Sequence, residues 1–178
     1  ALFSKFLVNL KQRLMQDGRI LAVALADWGV HLSPEAVRAI DQLSYMAYDI
    51  NDINGYHASF GRAAVRAVEY AEKCGFRREQ INLGLPYYGR PTYKGEYWPL
   101  WKDAQVGYWQ NYAPQITFDG IEMDAYYNCP GMVADKTAFA LQMGLGGVMI
   151  FPLNADRPHG NPLCLTDAIR RTIEERVE

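Results

Sequence analysis

A chain of 178 residues is long enough for one domain with a sizeable core, and 49% hydrophobic against 21% charged residues is the balance of a globular protein. A net charge of −2 argues against a nucleic-acid binder, which normally shows a basic surface. No apolar run approaches the ~20 residues that span a bilayer, so no membrane partner is expected.

Leu2 to Met15 sets Phe3, Phe6, Leu7, Leu10 and Leu14 at helical spacing, and Asp17-Gly18 ends that helix. Ile20 to Ala26 is a short unbroken apolar run, the pattern of a strand covered on both faces. Ser33-Pro34-Glu35 starts a second helix, with a cap, a proline at the first position and an acid in the first turn. Leu43 to Tyr48 reads as the next strand. Ser59 caps a helix running to about Cys74, with Ala64, Val68 and Ala71 on one face and Gly75 at its C-terminal end. Ile81 to Leu85 is a third strand, stopped by Pro86. A long aromatic stretch with little periodicity follows, dense between Tyr87 and Trp109. Pro130 opens a helix through Met143, closed by Gly144. Gly147 to Phe151 is a fourth strand, and Thr166 caps a last helix with Ile169, Ile173 and Val177 on one side.

Short buried strands alternating with amphipathic helices mean parallel βα units, and right-handed crossovers leave an open doubly wound sheet or a closed barrel. The open sheet usually carries a glycine-rich phosphate turn after its first strand. Here that strand is followed by Asp27-Trp28-Gly29, and no such turn occurs. Polar and aromatic residues gather instead at the C-terminal strand ends, where barrel enzymes place their chemistry. A closed barrel needs eight strands and ~250 residues. This chain supplies four. Cys74, Cys129 and Cys164, odd in number and far apart, suit neither a zinc site nor a disulfide framework and read as partly buried thiols; no metal or other cofactor is expected.

Strand side chains alternate, so Met46 shares a face with Tyr48, Tyr88 with Arg90, and Met149 with Phe151. Pointing into one mouth, these with Asp49 would supply aromatic faces, a phenol, a carboxylate and a guanidinium, an inventory that suits a sugar. Taken singly each has a structural reading. Tyr48-Asp49 is a strand end meeting a turn, Tyr88-Gly89-Arg90 a turn with a surface arginine, Met149 and Phe151 core, and Asp27 a helix cap.

Their order together resembles family-18 glycoside hydrolases. That family's sixth strand reads Met-x-Tyr-Asp, matched by Met46, Tyr48 and Asp49. Its seventh reads Gly-x-Pro-x-Tyr-Gly-Arg, matched by Gly84, Pro86, Tyr88, Gly89 and Arg90. Its eighth reads Gly-Gly-x-Met-x-Trp, matched by Gly146, Gly147 and Met149, with Phe151 in place of the tryptophan. Tyr126-Tyr127-Asn128 also resembles the segment before the eighth strand. The resemblance covers nearly the whole chain. It implies one partial catalytic domain over residues 1–178, an α/β fold formed by the C-terminal half, strands 5–8 with their helices, of a TIM (β/α)8 barrel.

The implied parent activity is substrate-assisted, retaining hydrolysis of β-1,4-linked N-acetylglucosamine polymers such as chitin, by a secreted or cell-surface protein. Tyr48 would hold the acetamido carbonyl, and Asp49 would tune the acid and touch the sugar. Tyr88 and Arg90 would bind hydroxyls, and Met46, Met149 and Phe151 would pack against the ring. The family's Asp-x-x-Asp-x-Asp-x-Glu motif belongs to the fourth strand, ahead of this chain. Asp119-Gly120-Ile121-Glu122-Met123-Asp124-Ala125-Tyr126 mimics it, with Tyr126 in place of the glutamate and in the wrong part of the fold. The family's α+β insertion after strand seven is expected to be missing. The chain alone is therefore expected to be inactive. A non-catalytic chito-oligosaccharide-binding protein, or a fragment with no ligand, are the other readings. The inner faces, including Leu43, Tyr45, Leu83 and Val148, would lack packing partners, which implies self-association or pairing with the other half of the barrel.

Overall fold

The structure, a computed structural model, describes residues 2–27, 32–92, 98–104, 106–118 and 120–177. Trp28, Gly29 and Asp119, and the side chain of Val177, lie outside what is described. In chain order come α1 (Leu2–Gln16), β1 (Ala22–Leu25), α2 (Pro34–Ala39), β2 (Gln42–Tyr45) and α3 (Arg66–Lys73), the last continuing a π-helical turn over Gly61–Val65. Then follow β3 (Ile81–Pro86), β4 (Arg90–Pro91), β5 (Tyr112–Phe118), β6 (Ile121–Tyr126), α4 (Pro130–Gln142), β7 (Gly147–Phe151) and α5 (Leu165–Val177).

β1, β2, β3 and β7 form one parallel sheet in that order, each strand after the first reached by a crossover that carries a helix. The register sets Leu25 beside Tyr45, Tyr45 beside Leu83 and Leu83 beside Val148. These side chains share one face, and that face is roofed by helices. Leu7, Leu10 and Leu14 of α1, Val37 of α2 and Ala67, Val68 and Ala71 of α3 pack there against Leu43, Tyr45, Ile81 and Leu83. Farther along, Leu85 and Ile150 meet Val133 of α4 and Leu165 and Ile169 of α5. Two expectations are corrected here. Leu43, Tyr45, Leu83 and Val148 belong to the helix-covered face and have their packing partners. β1 is covered on one face only, since Ala22 and Ala24 are exposed while Leu25 is buried. Among the described residues the sheet does not close, and β1 and β7 are its outer strands.

The helix ends follow from local chemistry. Ser33 caps α2, its Oγ accepting from Ala36 N, with Pro34 at the first position. Thr166, expected as the cap of α5, stands inside that helix. Its place is taken by Asp156, whose carboxylate accepts from Leu165 N at 2.9 Å and Thr166 N at 2.8 Å. A carboxylate bonded to first-turn amides satisfies the orphan donors and meets the positive end of the dipole. Phe3 and Phe6, expected on the buried face of α1, are exposed and stack on each other at 6.4 Å. Ile173 of α5 is likewise exposed.

The aromatic stretch after β3 is not all loop. β5 and β6 pair antiparallel, and β4 pairs with the other edge of β6, so Arg90 lies opposite Tyr126. The segment that mimics the acid motif is mostly strand β6 of this hairpin sheet, away from the parallel strands.

Candidate functional site

Three adjacent parallel strands deliver the site. The C-terminal ends of β2 and β3 lead into Tyr48, Asp49 and Tyr88, β7 ends at Phe151, and Arg90 opens β4 just beyond β3. Local geometry makes the convergence possible at two glycines. A Cβ on Gly84 would collide with the Tyr45 carbonyl and come within 2.9 Å of the Tyr48 ring. A Cβ on Gly89 would come within 2.7 Å of the Tyr127 ring. Asp49 itself turns the chain at φ 60°, a left-handed conformation that Asp tolerates better than most residues.

The rings meet edge and face. Tyr48 stacks with Phe151 at 6.3 Å and meets the Tyr88 edge at 6.0 Å. Tyr88 is fully buried, while Phe151 is 42% exposed. Trp98, which no sequence motif marked individually, lies flat on Tyr88 at 4.7 Å. It arrives there because the chain runs back beside 87–89, with Gly89 N donating to Pro99 O at 2.7 Å and Trp101 N to Tyr87 O at 2.9 Å. The Arg90 guanidinium sits 4.2 Å over the Trp98 ring and 5.4 Å from Tyr88. The only hint of Trp98 in the sequence was its place in the aromatic cluster. Met46 and Met149 are half-buried, with Met149 opposite Gly84 on the side of the sheet away from the helices.

Asp49 ties the cluster together. Arg90 donates twice, Nε to Oδ1 at 2.8 Å and Nη2 to Oδ2 at 2.6 Å, and the Tyr88 hydroxyl donates to Oδ2 at 3.0 Å. His57 Nδ1 stands 3.2 Å from Oδ1. Burial pushes the carboxyl up, but the bonds and charge of Arg90, together with His57, outweigh it and hold Asp49 well below the usual carboxylate range. Burial, with the charge of Asp49 adding, pushes the Tyr48 phenol up to about 12, so it stays a neutral donor. Burial and the same carboxylate raise Tyr88 further. Asp49 is therefore an ionised organiser, saturated by its neighbours, rather than a group with a free oxygen. Asp27, at the end of β1, faces another way. With Tyr45, Arg62, Arg66 and Tyr70 it lines a groove of about 550 Å³ on the α3 side.

Behind the site lies a second polar group. Lys136 of α4 is fully buried, its Nζ donating to Ala58 O at 2.6 Å and Asn128 Oδ1 at 3.2 Å. Tyr56 donates to Tyr127 O at 2.8 Å and to the same Asn128 oxygen at 2.9 Å. These bonds fasten the loop that follows Asp49 onto the start of α4. Burial pushes the Lys136 amine down to about 7. Cys74, Cys129 and Cys164 are free thiols, and no group of three or more His, Cys, Asp or Glu suited to a metal occurs among the described residues.

None of the curated proteins matches the chain. Among solved structures it is similar to a family-18 chitinase from the chitin utilization locus of Flavobacterium johnsoniae, at 25% identity and TM-score 0.79, covering 97% of this chain and 56% of that one. A chitinase of Bacteroides thetaiotaomicron follows at 20% identity and TM-score 0.71, covering 90% and 54%. Catalytic domain 2 of an Ostrinia furnacalis Group II chitinase, as a mutant in complex with penta-N-acetylchitooctaose, gives 16% and 0.70, covering 98% and 60%. The chain thus spans a little over half the length of these structures. The sequence model of glycosyl hydrolases family 18 matches residues 1–156, a stretch that holds all three strand-end motifs and the whole Asp49 cluster, and the chain belongs to that family.

Proposed function

We propose that this chain is the sugar-binding C-terminal half of a family-18 barrel, whose parent hydrolyses β-1,4-linked N-acetylglucosamine polymers of the chitin type. The observation that carries the reading is the convergence of Tyr48, Asp49, Tyr88, Arg90 and Phe151, with Trp98, at the ends of adjacent parallel strands. Among the described residues, a parallel sheet that does not close and carries helices on one face, together with similar structures nearly twice as long, supports the half-barrel part of it.

The exposed faces of Trp98 and Phe151 offer apolar area for the C–H face of a pyranose. The Tyr48 hydroxyl, without a hydrogen-bond partner among the described residues, would donate to the acetamido carbonyl. Arg90, pinned by Asp49 and Trp98, would bind hydroxyls, with Met46 and Met149 beneath the ring. In substrate-assisted hydrolysis the acetamido oxygen attacks the anomeric carbon as the glycosidic C–O bond breaks. An acid protonates the departing oxygen, and water then opens the oxazolinium ring. The residues here position the acetamido group, a contribution of several kcal/mol when reacting atoms are held in line. None supplies the acid, because Asp49 is held ionised. The family's acid is expected on a strand outside this chain.

The 178-residue chain alone should therefore bind N-acetylchitohexaose without cleaving it. Calorimetric titration with that sugar, and release of a chromogenic aglycone from a chitobiose substrate, test the two halves of the statement. Saturable binding with no release is expected. Release of aglycone by the pure chain would overturn the second half, and absence of binding the first. The saturated carboxylate also favours a second reading, a lectin-like family member, which a parent sequence with the acid replaced would establish. The uncovered sheet face calls for a second copy or the other half of the barrel. Sedimentation equilibrium of the pure chain should show self-association, and a folded 20.2 kDa species at low micromolar concentration would argue against it.

A further inference from the structure

Arg90 and Tyr88 hold Asp49 from the front of the cluster. From behind it is met by a single side chain, His57, which is 0% exposed. The loop after β2 is built to bring it there. Asp49 turns the chain left-handed, Ile50 N donates to His57 O at 3.0 Å, and Asp52 N donates to Tyr56 O at 3.0 Å, so the chain doubles back beneath Asp49. The returning arm is fastened on both sides of His57, through the Tyr56 hydroxyl to Tyr127 O and Asn128, and through Ala58 O to Lys136.

The ring tilts against Tyr88 at 5.5 Å. Nδ1 stands 3.2 Å from Asp49 Oδ1, close enough for an ion-pair contact but without a formed hydrogen bond, and Nε2 has no polar partner among the described residues. Leaving a buried polar atom unpaired is destabilising, so a ring wanted only for packing would be better served by Phe. The groups that face His57 are Asp49, Arg90 and Tyr88 from the cluster, Tyr56 from its own loop and Lys136 from α4. Burial, helped by the two cations against the pull of Asp49, lowers the imidazole pKa and so favours the neutral ring, which has one N–H to give. Asp49 is the acceptor in reach, and its two oxygens then carry four donors: Arg90 twice, Tyr88 and His57.

We propose that His57 is a positioning residue that directs Nδ1–H at Asp49 Oδ1 and so fixes the plane in which the carboxylate holds Arg90 and Tyr88 toward the sugar. The role toward sugar rests on the reading given under Proposed function; the contact itself is testable without a sugar. In the unmutated 178-residue chain at pH 8, ring 15N shifts should report a proton on Nδ1 and none on Nε2. A proton on Nε2 would overturn the proposal. His57→Phe keeps a ring against Tyr88 and removes the donor, whereas His57→Asn keeps a donor near the Nδ1 position. The Asp49 side-chain 13C titration should move up by about one pH unit in the Phe variant and stay with the parent in the Asn variant. An unmoved titration in a folded Phe variant would also overturn it. If the Phe variant does not fold, the ring 15N result decides alone. Loss of chito-oligosaccharide binding by the unmutated chain would count against the sugar site and leave the His57 contact standing.

Discussion

On one side of the parallel sheet Leu43, Ile81 and Leu83 are sealed beneath three helices, while on the other Ala22, Ala24 and Gln42 stand exposed. The sealed side is large and branched and holds the chain together. The open side is small or polar near the N-terminal strand ends and becomes aromatic and charged only past the C-terminal ends, where Tyr48, Asp49, Arg90 and Phe151 meet. A fold that places its stability on one side of a sheet leaves the other side free to be a binding wall.

Substitutions on the two sides should separate these roles. Leu83→Ala removes a fully buried side chain from the sealed side and should cost about 2–5 kcal/mol in urea denaturation. Gln42→Ala on the open side should stay within about 0.5 kcal/mol. Equal costs would show that the open side is also core.

A smaller effect is expected from Lys136. The folded amine holds its proton only below about pH 7, and the unfolded one up to its ordinary 10.5. Between these values the unfolded chain binds more protons, so this group makes stability rise with pH through that window. Lys136→Met lacks the rise. The stability of the parent relative to the Met variant should therefore grow from pH 6.5 to pH 9, on the order of 2 kcal/mol. A constant difference would mean that the buried amine titrates normally.

The smallest effect concerns the open side alone. Trp98→Ala should weaken N-acetylchitohexaose binding roughly 2–10-fold, the worth of one ring contact, with the fold intact. Asp49, whose carboxyl is depressed, loses its charge only as the pH falls below the ordinary 3.8, so affinity should be level from pH 5 to 8. A loss of affinity between pH 8 and 5 would place a different titrating group in the site.

Much of this was legible in the chain. The four parallel strands were marked by apolar runs between turn signals, and α2 by Ser33-Pro34-Glu35. The partners Tyr48, Asp49, Tyr88 and Arg90 were marked by their places just past strand ends. The hairpin of β5 and β6 was not legible, because Tyr112 to Tyr126 mixes both faces without clean alternation and carries a register shift between Ala113 and Ile116. The direction of the strand faces was not legible either, since period two says which residues share a face but not which face the helices take. Asp156 as the cap of α5 comes from a loop nine residues earlier, beyond any local cap signal. Trp98 and His57 reach Asp49 through tertiary contacts, by a returning strand and a folded-back loop, so neither had a motif to announce it.

The central claim is that sugar binds on the open side, at the Asp49 cluster. Chemical-shift mapping of the 15N-labelled chain with N-acetylchitotetraose tests it most directly. The account predicts saturable shifts concentrated on Tyr48, Asp49, Arg90, Trp98 and Phe151, and lost in Arg90→Ala. Shifts gathered on the groove of Asp27, Arg66 and Tyr70, on the helix side, would contradict it.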